Sequence, residues 1–323
     1  MGDLKLLASD PSTTGFLAPN GQDRLDRHPK LARLVSAYAP HDGTFDLAIP
    51  GLHASRLSQA NAECSHTIQV PSLCIIADGA KTITVGDQVY EYNTSRALVV
   101  SVSLPVAAMV TRATSAKPYL AARLDLDPQR IADLVLKVYP HGLPPMAQRS
   151  GAFVTSVDPK IVDAITRLME CLPQSGDMDL LAPLTIDEIL IRLLRSENGP
   201  RVAQMGLADS GVDRVAKATA WLRANFTQPM RVEDLAELVH MSVSSFHEHF
   251  KTVTSMSPLQ YQKTLRLQEA RRLMLSTAME AGTAGQLVGY ASTSHFSRDY
   301  NRLFGLPPAQ DIARIRQETQ LSV

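Results

Sequence analysis

Two segments near the end of this 323-residue chain repeat one pattern at a fixed offset of 50 residues. They cover residues 242–258 and 292–308. Each copy begins with a serine suited to an N-cap, continues with apolar residues at i, i+4 and i+7, and ends at a proline. The matched pairs are Ser242 with Ser292, Phe246 with Phe296, Phe250 with Tyr300, Val253 with Leu303, and Pro258 with Pro308. The repeat predicts two amphipathic helices that are built in the same way.

A shorter helix is predicted upstream of each copy, at Glu233–Val239 and at Glu280–Leu287. The pairs are joined by tight turns at His240-Met241 and Gly289-Tyr290. A short helix, a turn and an amphipathic helix, all duplicated, indicate a doubled helix-turn-helix. The alternative is a pair of ordinary amphipathic helices with solvated polar faces. It is disfavoured because caps, apolar stripes and prolines coincide in both copies.

The face opposite each apolar stripe is polar. At 100° per residue, hydrogen-bonding side chains of this kind suit a helix that lies in the major groove of duplex DNA. In the first copy these residues are Ser244, His247, Glu248 and Lys251, and in the second Ser294, Ser297, Arg298 and Asn301. A long helix over Pro258–Leu275, with Arg266, Arg271 and Arg272, is expected to hold the two recognition helices at a fixed separation.

The N-terminal half has a different pattern. Short β-branched runs between turn residues, over Phe45–Asp125, predict a small β-sandwich or barrel. The strand-like runs are Val70–Ile76, Lys81–Val85, Gln88–Tyr92 and Ala97–Val110, the last interrupted at Pro105. Helices are expected at Leu25–Tyr38, after Asp127-Pro128, from Asp158-Pro159 to Cys171, and over Leu180–Leu194. Residues 196–210 form the predicted domain boundary.

Length and composition fit two soluble domains, which we place at residues 1–200 and 211–323. The whole chain is neutral, but residues 211–323 hold 13 Lys and Arg against 10 Asp and Glu, a sign that suits a DNA-binding region. No apolar run approaches a membrane span, and Met1–Pro11 lacks a signal-peptide core. We therefore expect a cytoplasmic protein without membrane contact. Cys64, Cys74 and Cys171 form neither a disulfide framework nor a zinc pattern.

The C-terminal part, over about Val212–Arg316, resembles the AraC/XylS family of transcription regulators. The resemblance lies in Leu235-Ala236, Met241-Ser242, Arg266-Leu267, Ala270-Arg271, Gly289-Tyr290, Ser292, Phe296, Arg298, Gly305 and Pro308. The N-terminal part is similar to the sensor half of one AraC subgroup. That similarity lies in Ile49–Leu52, Pro71–Cys74, Gly79–Lys81, Val100–Pro105 and Leu124–Asp127.

This resemblance implies an α+β multidomain protein. It has a cupin-like β-barrel or sandwich, a helical dimerisation region, and an all-α domain with two helix-turn-helix units. It implies a homodimeric regulator, by family habit an activator, with RNA polymerase as a possible partner and a small molecule as effector. It also adds His295 to the DNA-binding residues Ser244, His247, Glu248, Lys251, Ser294 and Arg298, of which Lys251 is expected to contact a phosphate. We expect Ser242, Ser292 and Arg302 to contact DNA phosphates.

The sequence departs from the family pattern in places. His240 occupies a turn position where glycine is usual, and Arg231 stands where a Ser or Thr cap is commoner. Gly282 and Gly285 fall in the short helix of the second unit, where each weakens the helix by about 1 kcal/mol relative to alanine. These glycines predict a less rigid helix within the same fold.

Enzymatic alternatives find little support. A cupin metal site needs clustered ligands, but His53 and His66 are thirteen residues apart and each is expected to be exposed or hydrogen-bonded. His247 and His249 point about 200° apart on a helix, so they cannot share a metal. DNA-repair methyl acceptors that use this DNA-binding module need a cysteine-ligated zinc, and the three dispersed cysteines of this chain argue against such a site. We predict no enzyme and no cofactor; a regulator that binds DNA without an effector is the second interpretation.

Three further expectations concern the N-terminal domain. Few charged residues fall in the strand-like runs, and Asp87, Glu91 and Arg96 lie near turns, so any effector should be small and largely apolar or uncharged. Cys74 should be a core residue, and Cys64 is the better candidate for reactivity. The helices after the β-domain have surplus apolar residues that predict a dimer interface, namely Leu168, Met169, Leu180, Leu181, Ile189, Ile191 and Leu194.

Overall fold

The computed structural model describes residues 28–60, 64–144 and 150–321. The segment Met1–Pro11 and the predicted start of the first helix at Leu25 lie outside the described residues. The strands are β1 Gly43–Asp46, β2 Leu52–Leu57, β3 Ser65–Gln69, β4 Ser72–Asp78, β5 Ala80–Val85, β6 Gln88–Asn93, β7 Arg96–Val100, β8 Leu104–Arg112, β9 Tyr119–Asp125 and β10 Ala152–Ser156.

Most of the helices follow the sheet in the chain. They are α1 Pro29–Tyr38, α2 Pro128–Val138, α3 Pro159–Glu170, α4 Ser175–Leu194, α5 Gly199–Ala203, α6 Gly211–Asn225, α7 Val232–Leu238, α8 Val243–Thr254, α9 Pro258–Ser276, α10 Ala281–Leu287, α11 Thr293–Phe304 and α12 Pro308–Leu321. The described part of the chain contains no helix long and apolar enough to cross a membrane.

The strands form one curled antiparallel sheet. Their order is β1-β2-β9-β4-β7-β6-β5-β8-β3, and β10 also pairs with β7. Side chains alternate between the faces of a strand, so one set points into the curl. This inner set includes Ile76, Ile83 and Val85, which are almost completely buried. The predicted β-domain, helical middle region and all-α C-terminal region are therefore confirmed.

Two details of the β-domain differ from the sequence prediction. The break between β7 and β8 falls at residues 101–103, and Pro105 lies inside β8 opposite Ile68. The chain leaves the sheet there because Ser101 bonds to the backbone of Gly151, while the Ser103 carbonyl accepts the Tyr261 hydroxyl. Strand β10 was not predicted, because its partner β7 lies some fifty residues earlier and local sequence carries little signal of such pairing.

The helical middle region begins its helices as the sequence indicates. The Asp127 carboxylate accepts the N–H of Gln129, and the Asp158 carboxylate accepts that of Lys160; each cap is followed by a first-turn proline. Helix α4 is longer than predicted and runs through Pro183. Arg130 of α2 bonds to the Pro183 carbonyl and, at 2.5 Å, to Asp187. This contact fixes α4 against α2.

The hydrophobic core is continuous from the β-domain through the middle helices and into α6, α7 and α8. A second core lies under α10 and α11, together with parts of α9 and α12. The first helix-turn-helix unit thus shares its interior with the N-terminal domain, whereas the second unit has a core of its own. This difference was not expected from two copies of one sequence pattern.

Candidate nucleic-acid interface

The first helix-turn-helix unit consists of α7 and α8. No side chain caps α7 at Arg231, as the departure from the family pattern implies. His240 adopts the left-handed conformation with φ of 54°, where glycine is usual. The Met241 N–H then bonds to the Ala236 carbonyl at 2.9 Å, and the Ser242 hydroxyl caps α8 by accepting the N–H of Ser245. The sequence therefore builds this turn without a glycine.

The second unit, α10 and α11, repeats this geometry. Gly289 takes the left-handed position with φ of 94°, and the Tyr290 N–H bonds to the Gly285 carbonyl at 2.9 Å. The Ser292 hydroxyl accepts the N–H of His295. The offset between the units is 49 residues in the first helix and 50 in the second, so the second turn is one residue longer. Both recognition helices end at a left-handed residue, Ser255 and Gly305.

Gly285 has a packing role in the second unit. A Cβ built there would lie 2.8 Å from Cγ of Phe296, the fully buried aromatic of α11. The corresponding residue of the first unit is Ala236, which is also buried. Glycine at 285 therefore lets α10 approach α11 closely. This contact offsets the loss of helix propensity that raised doubt about the rigidity of α10.

Each recognition helix buries the predicted stripe. Phe246, Phe250 and Val253 are buried in the first, and Phe296 and Tyr300 in the second, where Leu303 is partly buried. The residues expected to read or contact DNA lie on the other side, and all are exposed apart from the half-buried cap Ser292. They are Ser242, Ser244, His247, Glu248, Lys251, Ser294, His295, Arg298 and Arg302.

The surroundings of the two exposed faces differ. The β5–β6 turn of the N-terminal domain packs on the end of α8, where a Cβ at Gly86 would lie 2.3 Å from the Ser255 carbonyl oxygen. Glu248 and Lys251 consequently line a groove whose other wall comes from the N-terminal domain and includes Asp87. Lys251 also borders a cleft with Arg302 of α11. Arg298 and His295 line neither of these depressions.

Helix α9 connects the two units mechanically. Arg266 donates to the carbonyl of Phe226 at 2.6 Å, to that of Gln228 at 3.0 Å, and to that of Gly289 at 3.1 Å. One guanidinium therefore ties the loop before the first unit to the turn of the second. Arg271 and Arg272, grouped with it in the sequence analysis, have other partners. Arg272 pairs on the surface with Glu269.

Arg271 belongs to a buried network centred on Asp311 of α12. The Asp311 carboxylate is completely buried and accepts two bonds from Arg271 at 2.8 and 2.9 Å. It also accepts the Tyr300 hydroxyl at 2.8 Å and a guanidinium N–H of Arg314 at 3.0 Å. The network joins α9, α11 and α12 behind the second recognition helix. The sequence analysis did not identify Asp311, because an aspartate in a polar helical turn gives no signal that it is buried.

The N-terminal domain reaches the second unit at His66. The His66 ring stacks edge-on against Phe304 at the end of α11, with 4.8 Å between ring centroids. Burial, and then the positive charge of Arg271, lower the pKa of His66 to about 4, with Asp311 opposing the shift. His66 is thus neutral in the folded protein at neutral pH and packs as an aromatic residue.

We expect His66 to make the protein less stable as the pH falls from about 6.5 to about 4. An unfolded histidine takes up its proton near pH 6.5, whereas the folded one does so only near 4, so acid favours the unfolded state across this window. Urea denaturation of wild type and His66→Phe at pH 7.5, 5.5 and 4.5 measures the effect. The variant should lose stability less steeply, and equal pH slopes in the two proteins would contradict the assignment.

Other candidate residues have structural surroundings. His53 bonds to Asp46 at 2.7 Å and to Asp125 at 3.1 Å, so it is hydrogen-bonded as expected. Among the described residues no three His, Cys, Asp or Glu side chains are grouped as a metal site. Cys74 is buried as predicted, and Cys64 is exposed. Asp87, Glu91 and Arg96, which lie near turns, are exposed.

Comparison with protein families yields two matches. Residues 48–201 match the family described as the AraC-type transcriptional regulator N-terminus, and residues 235–314 match a helix-turn-helix domain family. The first match covers β2 to β10 and the middle helices, and the second covers most of both helix-turn-helix units. They agree with the regions in which sequence analysis found the resemblance.

Curated relatives match about half of this chain. The chain is 29% identical over 144 residues to the HTH-type transcriptional regulator GbdR of Pseudomonas aeruginosa, which covers 45% of this chain and 39% of GbdR. It is 27% identical over 159 residues to the virulence regulon transcriptional activator VirF of Yersinia enterocolitica, which covers 49% of this chain and 58% of VirF. The chain thus spans about half the length of these relatives.

Among solved structures, ToxT from Vibrio cholerae has the same overall arrangement. The TM-score is 0.53 with 10% sequence identity, over 81% of this chain and 97% of ToxT. At this identity the similarity concerns the fold. It supports the order seen here, a curled β-domain, a helical middle region and a helical C-terminal region.

Proposed function

The chain belongs to the AraC family of transcription regulators, and from this membership we propose that it binds duplex DNA sequence-specifically and activates transcription. One observation carries the proposal. Two helix-turn-helix units present exposed polar faces, each opposite a fully buried aromatic stripe. A helix held in this way can enter the major groove with its polar side chains towards the base edges. The family is one of transcription regulators and not of enzymes.

The base-reading roles follow from side-chain chemistry. Arg298 suits the O6 and N7 atoms of guanine, and Glu248 can accept from N4 of cytosine. Ser244 and His247 on α8, with Ser294 and His295 on α11, supply neutral donors and acceptors. The Lys251 and Arg302 cations, together with the caps Ser242 and Ser292, suit phosphate oxygens.

Activation is proposed because VirF, one of the similar proteins, is named a transcriptional activator. An activator places RNA polymerase at a promoter, so a contact with polymerase is part of the proposal. Regulators of this kind often act on neighbouring genes. The duplex DNA upstream of the adjacent genes is therefore the first target to test.

The proposed function is tested by fluorescence anisotropy with that upstream DNA and with a scrambled duplex of equal length. We expect tighter binding to the upstream duplex, and a log–log salt dependence that becomes shallower in Lys251→Ala, because one phosphate contact is lost. Equal affinity for both duplexes in every fragment tried would contradict sequence-specific binding. Turnover of a small substrate without specific DNA binding would instead support the cupin-enzyme alternative.

We also propose that the N-terminal domain passes an effector signal to the DNA-binding units. The contacts exist: the Gly151 N–H bonds to the Val253 carbonyl at 2.8 Å, Arg223 bonds to Ser103 at 2.8 Å, and Tyr261 bonds to the Ser103 carbonyl at 2.7 Å. A change in the sheet near residues 101–103 would move α8 and α9 directly. If DNA binding is indifferent to every effector tested, the chain is the effector-independent regulator of the second interpretation.

The last part of the proposal is that the protein is a homodimer. The residues that we propose for its interface differ in part from those predicted from the sequence. Leu168, Met169, Ile189 and Leu194 are buried within the protomer, so they cannot form an interface. Leu180 and Leu184 on α4 are 73% and 65% exposed, and Leu136 on α2 is 74% exposed. Leu181 is also exposed. These four leucines are the surface that we propose for dimerisation.

We expect the full-length protein to be a dimer at tens of micromolar in light scattering. The double substitution Leu180→Glu/Leu184→Glu should shift it to monomer, because two apolar contacts become like-charged carboxylates facing each other across a two-fold axis. Leu259→Glu, at a leucine that is 56% exposed on α9, is the matched control and should leave the dimer intact. A wild-type monomer at these concentrations would contradict the proposal.

A further inference from the structure

A lysine lies on the inner face of the curled sheet. Lys81 of β5 pairs with Tyr92 on β6 and with Val110 on β8, and both partners are almost completely buried. Residues directly opposite each other in antiparallel strands point to the same side of the sheet. The side chain of Lys81 therefore points into the β-domain, where its ammonium nitrogen lies 5.7 Å from the centroid of the Tyr119 ring.

The surroundings of Lys81 contain hydroxyl, thiol and guanidinium groups. Tyr92 and Tyr119 are buried and bond to each other, and Cys74 is buried nearby. Arg123 stands beside Cys74 in the register and donates to Asp125 at 3.0 Å. Within the described residues, Lys81 has neither a hydrogen-bond partner nor a carboxylate in an ion pair. The Asp125 carboxylate is not available as an ion-pair partner for Lys81, because it is shared between Arg123 and His53.

Lys81 is half-buried and has no ion-pair partner among the described residues, which needs an explanation because removing an ammonium group from water is costly. Burial lowers the pKa of Lys81, and the charge of Arg123 adds to the shift, while Cys74 opposes it. Burial raises the pKa of the Cys74 thiol, so that thiol is a poor nucleophile. A desolvated lysine beside another cation is the arrangement that gives a reactive neutral amine. The residue keeps partial exposure, so small molecules can reach it.

We propose that Lys81 is the effector-capture residue of the N-terminal domain and forms a reversible imine with small carbonyl compounds. The amine nitrogen adds to the carbonyl carbon to give a carbinolamine, which loses one water to leave the imine; no oxidant or reductant is required. A protonated imine would lie against the face of Tyr119, where a cation is stabilised. The inference rests on the proposed sensor role of this domain.

The inference changes one expectation from the sequence. Charged residues were judged rare inside the strand-like runs, but Lys81 and Arg123 both stand on inward-facing positions. The expectation of a small, uncharged effector still fits, since aldehydes and ketones carry no charge. The specificity comes from the reaction with the amine and not from an ion pair.

The experiment is reductive trapping in the full-length protein. Protein at pH 7 is incubated with propionaldehyde and sodium cyanoborohydride, and peptides are mapped by mass spectrometry over time. We expect the propyl group to appear faster on Lys81 than on the exposed Lys117 and Lys137, because a lowered pKa leaves more of the Lys81 amine unprotonated at pH 7. Lys81→Arg keeps the charge and removes the amine, and Lys117→Met is the control that should retain fast labelling.

Labelling of Lys81 no faster than that of Lys117 would overturn the proposal. The proposal would also be overturned if an equal concentration of propionate completely prevented the labelling of Lys81, because Lys81 would then be a charged ammonium group that binds carboxylates. The labelling rates of Lys81 and Lys117 are compared within the wild-type protein, so the test remains valid even if Lys81→Arg misfolds. The assay contains no DNA: trapping without specific DNA binding would contradict the proposed function alone, and DNA binding without trapping would contradict this inference alone.

Discussion

Asp311→Ala should unfold the second helix-turn-helix unit while the rest of the protein stays folded. The carboxylate is completely buried and accepts bonds from Arg271, Tyr300 and Arg314. Removing one member of a buried, hydrogen-bonded charge network leaves uncompensated charge and costs about 3–5 kcal/mol. The second unit has its own core, separate from that of the first, so the loss should be local.

Hydrogen exchange followed by mass spectrometry measures this effect. Protection should fall in peptides from α10 to α12 and persist in the β-domain. Glu269→Ala is the matched control: Glu269 pairs with Arg272 on the surface of the same region, and exposed pairs contribute about 0–1 kcal/mol. Unchanged protection of α11 in Asp311→Ala, or equal loss throughout the chain, would show that the network does not stabilise this unit separately.

Arg298→Ala should weaken binding to the preferred DNA site by about tenfold or more and relax the preference at one base pair. A bidentate arginine–guanine contact contributes about 1–3 kcal/mol of discrimination. Arg298 is exposed on α11 and lines neither depression next to the N-terminal domain. The Arg298 side chain is therefore accessible from solvent.

Glu248→Ala and Lys251→Ala are the comparison variants for Arg298. Removing the Glu248 carboxylate should relax sequence preference with equal or slightly higher affinity, because phosphates repel it. Lys251→Ala should lower affinity for all sequences alike. Each protein is titrated with the selected site, single-base variants of it and a scrambled duplex. If Arg298→Ala matched wild type in affinity and base preference, α11 would not be the reading helix that we assign.

The C-terminal fold was predictable because its signals are local. Caps, apolar stripes and prolines lie within a few residues of the helices that they define, so Ser242, Phe246 and Pro258 indicated α8 and its ends. The β-domain was predictable in outline only. Strand β10 depends on pairing with β7, and the break at residues 101–103 depends on Tyr261, far along the chain. Pairing over such separations leaves no periodicity to read.

The candidate DNA-binding site also has features that local sequence predicts and features that depend on tertiary contacts. Exposure of the polar faces follows from helical geometry, and the proposed reading residues are exposed, including His295, which only the family resemblance indicated. The sequence could not show that Asp311 is buried, that Arg266 bridges the two units, or that Lys81 points into the sheet without a partner. Each of these features depends on tertiary contacts of a charged residue, and charged residues are usually solvated, so their sequence context does not reveal such contacts. Leu168, Met169, Ile189 and Leu194 were misassigned to the interface for the converse reason, since an apolar pattern does not separate core residues from interface residues.

The central claim is that two recognition helices read one DNA site together. Selection of binding sites from random-sequence duplex DNA by the full-length protein tests it most directly. The account predicts an enriched motif with two blocks of conserved base pairs, centred about one helical turn apart, ~34 Å along the DNA. The block read by α11 should lose one preferred base pair in Arg298→Ala. A pool that stays random after repeated rounds, or a single block that Arg298→Ala leaves unchanged, would contradict it.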